Sequence, residues 1–421
     1  MKGRRVGGPF WSAWAGTDGE TAEPPVPSPE EAMARDHDIE TSARIQRTLL
    51  AGRYDFSVPG LEIAAETLPS SRVDGDFYDF FPLSNDSLDF MIGDVMGKGI
   101  PAALTAAAAK SAVYRSLMRR MIARGGLPEP DDILAEVDRV ISGELVDMGK
   151  FLTMYYCRVE PQKASLRFID AGHTSFLYHC ARDKTCWTVK GANMPLGFTE
   201  SQSWQSFTLP VDEGDTIFFY SDGISEAENA QTGIFGEERL RQLVLAHAKL
   251  APEELVKQVL ALTFYYSEGS FRDDVTALAL RMRECGMPSR AGRTISINRP
   301  ENNWITETRT RFLEDLEGVY RGRERELALP LSLALVEALG NLAKYTSGPA
   351  SVYWDLRDGR VSISLDCLSG DFDWFRAPQP QMDSYPMNGY GSWIMSGASD
   401  SILLLRGRER QSRIIITKDV P

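Results

Sequence analysis

The chain has 421 residues, of which 43% are hydrophobic and 25% are charged, and its formal net charge is −13. This composition is typical of a soluble globular protein with two or three domains. The negative charge argues against general nucleic-acid binding, and no apolar run is long enough to span a bilayer, so we expect neither nucleic acid nor membrane as a partner. The five cysteines lack metal or redox spacing and no signal peptide is visible, which favours a reduced, cytoplasmic protein.

The N-terminal region divides into a tail and a helix. Residues 1–29 are rich in Gly, Pro, Ala and acidic residues, which predicts a disordered tail. Residues 30–52 predict a linker helix with Ser28 as its N-cap and an apolar stripe that includes Ile39, Ile45 and Leu49. Two interpretations of this helix remain open: it packs on its own domain, or it pairs between the subunits of a homodimer.

Residues 53–284 alternate between strand and helix patterns in an α+β order. The predicted elements in chain order are strands Leu61–Thr67, Phe77–Phe81 and Leu88–Ile92, helices Ala102–Met121 and Asp131–Gly143, strands Thr153–Glu160, Ser165–Asp170, Ser175–Cys180, Cys186–Val189 and Thr216–Tyr220, helices Leu240–His247 and Pro252–Tyr265, and strand Val275–Met282.

Aspartates mark the ends of several of these strands. Strands end at Asp94 and Asp222, another begins after Asp273, and the first hairpin begins at Asp76. Folding that hairpin about its Ser-Asn-Asp-Ser turn places Asp76 opposite Asp94 at one open end. Two carboxylates at a sheet end need a counter-charge, because burying an unpaired carboxylate is very costly. Four acids without a His or Cys cluster suit Mg²⁺ or Mn²⁺ and suit zinc poorly.

Several spaced motifs carry a family resemblance. They are VDGDFYDFF at 73–81, IGDVMGKGIPAAL at 92–104, AGHTSFLY at 171–178, PLG at 195–197, FFYSDGISEAEN at 218–229, FGEERL at 235–240 and FRDDVTAL at 271–278, with IQRTLLAG at 45–52 in the linker helix. With them, residues 40–282 resemble the metal-dependent PPM (PP2C-like) protein phosphatases of the bacterial SpoIIE/RsbU type. The resemblance implies an α-β-β-α sandwich that removes phosphate from phosphoserine or phosphothreonine.

The same resemblance implies a site for two Mn²⁺ or Mg²⁺ ions, which activate the attacking water. The metal-ligating and catalytic residues that it implies are the side chains of Asp76, Asp94, Asp222 and Asp273 and the carbonyl of Val95, with Asp94 bridging both ions and Asp274 as the adjacent alternative to Asp273. One departure is Asp74, where the family usually has glycine. His173 could serve as a general acid, but its place in a Gly-flanked turn favours a structural role. Lys98 could attract phosphate, although its turn lacks the spacing of a P-loop.

After a linker at residues 285–293, residues 294–421 predict a second α/β unit. The predicted elements are strand Thr294–Asn298, helices Ile305–Tyr320 and Leu329–Tyr345, and strands Val352–Leu356, Val361–Leu365, Ile402–Leu405 and Arg413–Lys418. Glu337 and Asn341 are four residues apart in the second helix, and therefore lie on one face of it.

This unit resembles the two-layer α/β GHKL (Bergerat-fold) ATPase domain of anti-sigma-factor serine kinases, through EALGN at 337–341 and NGYGSWIM at 388–395. The resemblance implies a nucleotide site for Mg²⁺-ATP. The residues that it implies are Glu337, Asn341, Asp366, Gly370, Gly389 and Gly391, with Asp366 contacting adenine. Leu368 replaces a glycine of the family's nucleotide motif, so ATP binding with kinase activity and a docking role alone remain alternatives.

The two resemblances together imply a bacterial partner-switching pathway. The expected substrate is a small phosphorylated STAS-type anti-anti-sigma protein, and a sigma factor or an anti-sigma factor is a further expected partner. The alternative is a catalytically inactive scaffold that binds the same regulators without hydrolysis. The four acids favour the enzyme.

Overall fold

The computed structural model describes residues 56–70, 75–124, 126–199, 202–283, 291–297, 303–346, 349–357, 359–368, 390–408 and 410–420. The predicted tail and linker helix therefore lie outside the described residues, as do Asp74, Gly370 and Gly389.

The first domain follows the predicted order of elements closely. Its strands are β1 (Leu61–Leu68), β2 (Phe77–Ser84), β3 (Ser87–Val95), β4 (Leu152–Glu160), β5 (Ser165–Ala171), β6 (Phe176–Cys180), β7 (Thr185–Val189), β8 (Phe207–Pro210), β9 (Thr216–Tyr220), β10 (Glu228–Asn229), β11 (Gly233–Ile234) and β12 (Val275–Met282). Its α-helices are α1 (Ile100–Arg124), α2 (Pro130–Asp147), α3 (Asp222–Ser225), α4 (Glu237–His247) and α5 (Pro252–Tyr266). Sequence patterns missed β8, because four residues show too little alternation to be recognised.

Two sheets stack face to face in this domain. One has the order β2-β3-β4-β5-β8, and the other begins β1-β12-β9-β6-β7. Aromatic side chains fill the space between them, including Phe90, Tyr155, Phe168, Phe176 and Phe219. The rings of Phe176 and Phe219 have centroids 4.5 Å apart, and neighbouring pairs meet edge to face. Burying such large rings supplies much of the hydrophobic stabilisation of a sandwich core.

Helices cover the outer face of each sheet. Ala102, Ala106 and Ala109 of α1 are buried against the five-stranded sheet together with side chains of α2. Small alanines allow this helix to approach the sheet closely. Helices α4 and α5 bury an apolar face, with Leu240 and Val259, against the second sheet. The layers are therefore helix, sheet, sheet, helix, as the family resemblance implies.

The C-terminal domain is one sheet covered on one face by helices. Its elements are β13 (Ala291–Ile297), α6 (Trp304–Val319), α7 (Glu324–Tyr345), β14 (Ala350–Arg357), β15 (Arg360–Leu368), α8 (Tyr390–Ala398), β16 (Ser401–Arg406) and β17 (Gln411–Asp419). The strand order is β16-β17-β15-β14-β13. Strand β13 begins at Ala291, inside the segment predicted as a linker.

Helix α7 corrects the prediction that no apolar run of the sequence is long enough to span a bilayer. Among the described residues, its segment Glu326–Tyr345 is long and apolar enough to cross a membrane by length and composition. However, Leu331, Leu335 and Leu339 are fully buried and pack against β14, β15 and α6. The burial of this stripe shows why the helix is so apolar, since it supplies one side of the domain core.

A buried ion pair joins the middle strands of the first sheet. Asp89 of β3 is fully buried and lies opposite Arg158 of β4, whose Nε and Nη2 donate to its two carboxylate oxygens at 2.6 and 2.8 Å. Tyr156 donates a third hydrogen bond, from its hydroxyl to Asp89 Oδ2 at 2.5 Å. This fully satisfied geometry is what a buried carboxylate requires.

Candidate active site

The predicted acids approach one another at one end of the sandwich. Asp76 precedes β2 and Asp94 lies near the end of β3, where the ladder pairs Phe77 with Gly93. Asp222 opens α3 directly after β9, and Asp273 lies two residues before β12, the strand that pairs with β9. The topology therefore gathers side chains from four separate segments of the chain.

The carboxylates influence one another's pKa values. Burial raises the pKa of Asp94 to about 7, and the charges of Asp222, Asp273 and Asp274 add to that rise. Burial and the charge of Asp94 raise the pKa of Asp76 well above its ordinary value. The pKa of Asp222 is also raised, through burial and then through Glu226 and Asp273. Shifts with these causes are typical of functional sites.

Two hydroxyl groups hold Asp76 in place. Thr276 Oγ1 of β12 donates to Asp76 Oδ2 at 2.7 Å, and Asp76 is only 5% exposed. Ser221 Oγ accepts a hydrogen bond from Thr276 N at 2.9 Å, and it also acts to lower the pKa of Asp76. Sequence reasoning missed both residues. Their only signal was a polar residue at the very end of an otherwise apolar strand.

Gly75 makes a close approach that only glycine permits. A Cβ atom there would lie 2.9 Å from Asp94 Oδ1 and 2.9 Å from the carbonyl oxygen of Val95, closer than real Cβ contacts. The Gly75 backbone thus lies against two of the predicted metal donors. This crowding fits a cradle for a small ion, and carboxylate and carbonyl oxygens are the donors that Mg²⁺ and Mn²⁺ prefer.

The neighbours Asp273 and Asp274 have different environments. Asp274 is buried, and its carboxylate accepts hydrogen bonds from Ser70 N at 3.0 Å, Ser70 Oγ at 2.9 Å and Gly75 N at 3.0 Å. These bonds tie the Gly75 loop to β12, which suits a positioning residue. The side chain of Asp273 is half exposed, so of the two it is the more available to a ligand.

Lys98 contacts the acidic cluster. Its Nζ lies 3.1 Å from Asp273 Oδ2 and donates to the carbonyl oxygen of Arg272 at 2.8 Å. The turn that carries it needs glycine, because Gly97 and Gly99 have φ of +104° and +76°. Its charge also acts to lower the pKa of Asp222.

Within the described ranges, no three His, Cys, Asp or Glu side chains stand close enough together to hold a metal ion as placed. Like charges repel, and each acid has its own contact, Asp76 with Thr276 and Asp273 with Lys98. The two-ion cage of Asp76, Asp94, Asp222 and Asp273 with the Val95 carbonyl thus stays a prediction, supported by the mutual charge effects and the Gly75 cradle.

His173 has the surroundings of a structural residue. It is 2% exposed, and its Nδ1 lies 2.9 Å from Thr153 Oγ1. Burial lowers its pKa to about 3, so its ring is neutral at physiological pH and lacks the imidazolium proton that a general acid donates. Its backbone N–H donates to Asp170 Oδ1 at 2.9 Å, which fixes the turn after β5.

The predicted nucleotide residues are described only in part. Glu337 and Asn341 are partly exposed on α7, and Gly391 lies in the first turn of α8. Asp366 lies directly opposite Arg413 in the β15–β17 ladder, and Arg413 Nε and Nη2 donate to its carboxylate at 2.6 and 2.7 Å. That carboxylate is thus engaged by a guanidinium, while its side chain remains 35% exposed, so its role at a nucleotide stays a prediction.

Comparison with known proteins finds similarity over the first domain. The family model of Stage II sporulation protein E (SpoIIE) matches residues 84–283. Phosphoserine phosphatase RsbU of Bacillus subtilis is 28% identical over 250 residues, which cover 58% of this chain and 70% of RsbU.

Two solved structures are also similar. The SiaA-PP2C domain of Pseudomonas aeruginosa superposes with a TM-score of 0.52 at 24% identity, covering 60% of this chain and 98% of that domain. The RsbU and RsbW domains of Rv1364c from Mycobacterium tuberculosis cover 86% of this chain and 93% of their own at 22% identity, with a TM-score of 0.47. The family match therefore supports a SpoIIE-type, PP2C-like phosphatase domain at residues 84–283, and the similar proteins support the activity of a protein serine/threonine phosphatase.

Proposed function

We propose that this phosphatase is Mn²⁺- or Mg²⁺-dependent and acts on a small phosphorylated regulator of the STAS (anti-anti-sigma) type in the cytoplasm. The metal dependence is supported by the repulsion between the acids. The charges of Asp222 and Asp273 help raise the pKa of Asp94 to about 7. A cluster of carboxylates that repel one another is stabilised by bound divalent cations. The substrate class rests on the likeness to RsbU and on the C-terminal domain.

Each residue of the site has a role in this proposal. Asp76, Asp94, Asp222, Asp273 and the carbonyl of Val95 would hold the ions, while Thr276 orients Asp76 and Asp274 fixes the Gly75 loop. When bound, the ions supply a water nucleophile at neutral pH and neutralise charge on the phosphoryl oxygens. Proton donation by His173 is not needed, which agrees with its buried, neutral ring.

The C-terminal domain would bind the regulatory protein. Its resemblance to anti-sigma-factor kinases suggests this partner, but the engagement of Asp366 by Arg413 counts against rephosphorylation from ATP. A sigma factor or an anti-sigma factor would be a further partner of the same pathway.

The test is release of phosphate from a phosphoserine protein as Mn²⁺ is added. We expect Asp94→Asn and Asp222→Asn each to lower the rate by at least about 100-fold, because each removes a charge on which the ions depend. Asp86→Asn, an exposed aspartate in the β2–β3 turn, is the matched control and should behave as wild type. Full activity of both site variants would exclude this mechanism. A wild-type protein that binds the regulator without releasing phosphate would instead be the inactive scaffold.

A further inference from the structure

The sheets of the two domains form one continuous sheet. Strand β7 lies at one edge of the phosphatase sheet and β16 at one edge of the C-terminal sheet, and the two pair antiparallel, with Leu405 opposite Val189 and Arg406 opposite Thr188. An edge strand presents unpaired backbone N–H and C=O groups. Here each domain covers the edge of the other.

Apolar side chains cross the same boundary. Leu403, Leu405 and Ile415 of the C-terminal sheet belong to the core cluster between the two phosphatase sheets. Their strand neighbours Ile414 and Ile416 point to the opposite face and pack with α6 and α7 in the C-terminal core. Strands β16 and β17 therefore pack on both faces: one face contacts the phosphatase core and the other contacts the C-terminal core.

Arg413 is the charged centre of this interface. Its side chain is only 4% exposed, and its Nη2 is shared between Asp366 of its own domain and Asp183 in the turn between β6 and β7. The guanidinium also lies 4.6 Å from the ring centroid of Trp187 in the phosphatase domain. A planar guanidinium can satisfy two carboxylates and an aromatic face at once, which an ammonium cannot.

Further polar contacts surround this centre. Arg357 of the C-terminal domain pairs with Asp212 of the phosphatase domain. The backbone N–H of Thr208 donates to Ser401 Oγ at 3.1 Å, and the guanidinium of Arg182 lies 3.9 Å from the ring centroid of Tyr353. The contacts come from several strands on each side, as they do in a permanent interface.

The position of Asp366 follows from strand alternation. Leu365 and Cys367, its neighbours in β15, pack in the core beneath the helices. Asp366 therefore lies on the other face of the sheet, which faces the phosphatase domain. We infer that Asp366 and Arg413 form an interdomain clasp with Asp183, and that the C-terminal domain is permanently docked on the phosphatase domain rather than using Asp366 to bind a nucleotide.

The test compares Arg413→Met with Arg406→Met, a matched change of an exposed arginine on the neighbouring strand. In the full-length protein we expect Arg413→Met to lower the midpoint of thermal unfolding by about 5 °C or more, because it leaves two partly buried carboxylates without their cation. It should also speed hydrogen exchange in β7 and β16. Arg406→Met should change neither quantity.

Two further variants separate the clasp from general instability. Asp183→Asn removes only the interdomain charge, and its side-chain oxygen can still accept from Thr185, so the fold should persist while exchange in β16 increases. Asp366→Asn should lower the midpoint and leave the affinity for a fluorescent ATP analogue with Mg²⁺ unchanged. The inference is overturned if Arg413→Met behaves as Arg406→Met does. It is also overturned if Asp366→Asn abolishes tight nucleotide binding with an unaltered midpoint.

Discussion

Replacing Gly75 with alanine probes the metal cradle without touching any ligand. The added Cβ would lie 2.9 Å from both Asp94 Oδ1 and Val95 O, whereas ordinary van der Waals contact begins at 3.4 Å. The two donors, or the Gly75 loop, must therefore shift by about half an ångström, which is the limit of what a preorganised site tolerates. Since displaced ligands and their supports typically cost about 10- to 100-fold in metal affinity, we expect Gly75→Ala to weaken Mn²⁺ binding by that factor.

Isothermal titration calorimetry with Mn²⁺ measures this effect directly, and phosphate release at saturating Mn²⁺ provides a second readout. The control is Gly143→Ala in the interior of α2, where an added Cβ meets no atom within 4 Å. That variant should keep its Mn²⁺ affinity and gain about 0.5–1 kcal/mol in the free energy of unfolding, because alanine loses less backbone entropy in a helix. If Gly75→Ala binds Mn²⁺ as tightly as wild type, the cradle is not where the ions lie.

Three further outcomes follow from the buried charges. Asp94, with a pKa of about 7, must lose a proton before it can ligate a metal. The apparent Mn²⁺ affinity measured by calorimetry should therefore fall up to about tenfold per pH unit below pH 7. An affinity that does not change with pH would exclude Asp94 as a ligand. His173 has a folded pKa of about 3 against about 6.5 when unfolded, so its contribution to stability is present above pH 6.5 and is lost as the pH falls towards 3. Urea titrations should show a shallower loss in His173→Gln, and an unchanged slope would contradict this. Arg158→Met should cost about 3–5 kcal/mol in the free energy of unfolding by leaving Asp89 buried without its cation, whereas the exposed Arg139→Met should cost almost nothing; equal urea midpoints for the two variants would refute this role.

The secondary structure of the phosphatase domain is predicted well from the sequence, because the patterns that indicate its strands and helices are local. Strands such as Thr216–Tyr220 are apolar runs bounded by turn residues, and their observed limits match the prediction. The aspartates at strand ends are visible for the same reason, and the structure brings their charges within reach of one another. Thr276 and Gly75 escaped notice because their roles depend on which strands lie side by side, and no local pattern encodes that.

In the C-terminal domain, by contrast, the roles of Asp366 and Arg413 depend on contacts that are distant in sequence. The predicted adenine contact, Asp366, was chosen from its place in a motif, yet strand alternation turns it towards Arg413 and away from the helices. Arg413 looked like an ordinary residue of a closing strand. Its role arises from β16 pairing with β7, a contact between segments more than 200 residues apart. The pairing of strands so far apart in sequence depends on the assembled fold and leaves no local sequence pattern.

We predict that acids from four distant segments of the chain share two divalent ions. The most direct measurement is a crystal structure of the protein grown with Mn²⁺, using anomalous scattering to locate the metal. We predict two peaks bounded by Asp76, Asp94, Asp222 and Asp273, with the Val95 carbonyl at one of them. Well-ordered crystals at millimolar Mn²⁺ with no peak among these residues, or with metal bound only elsewhere, would contradict the account.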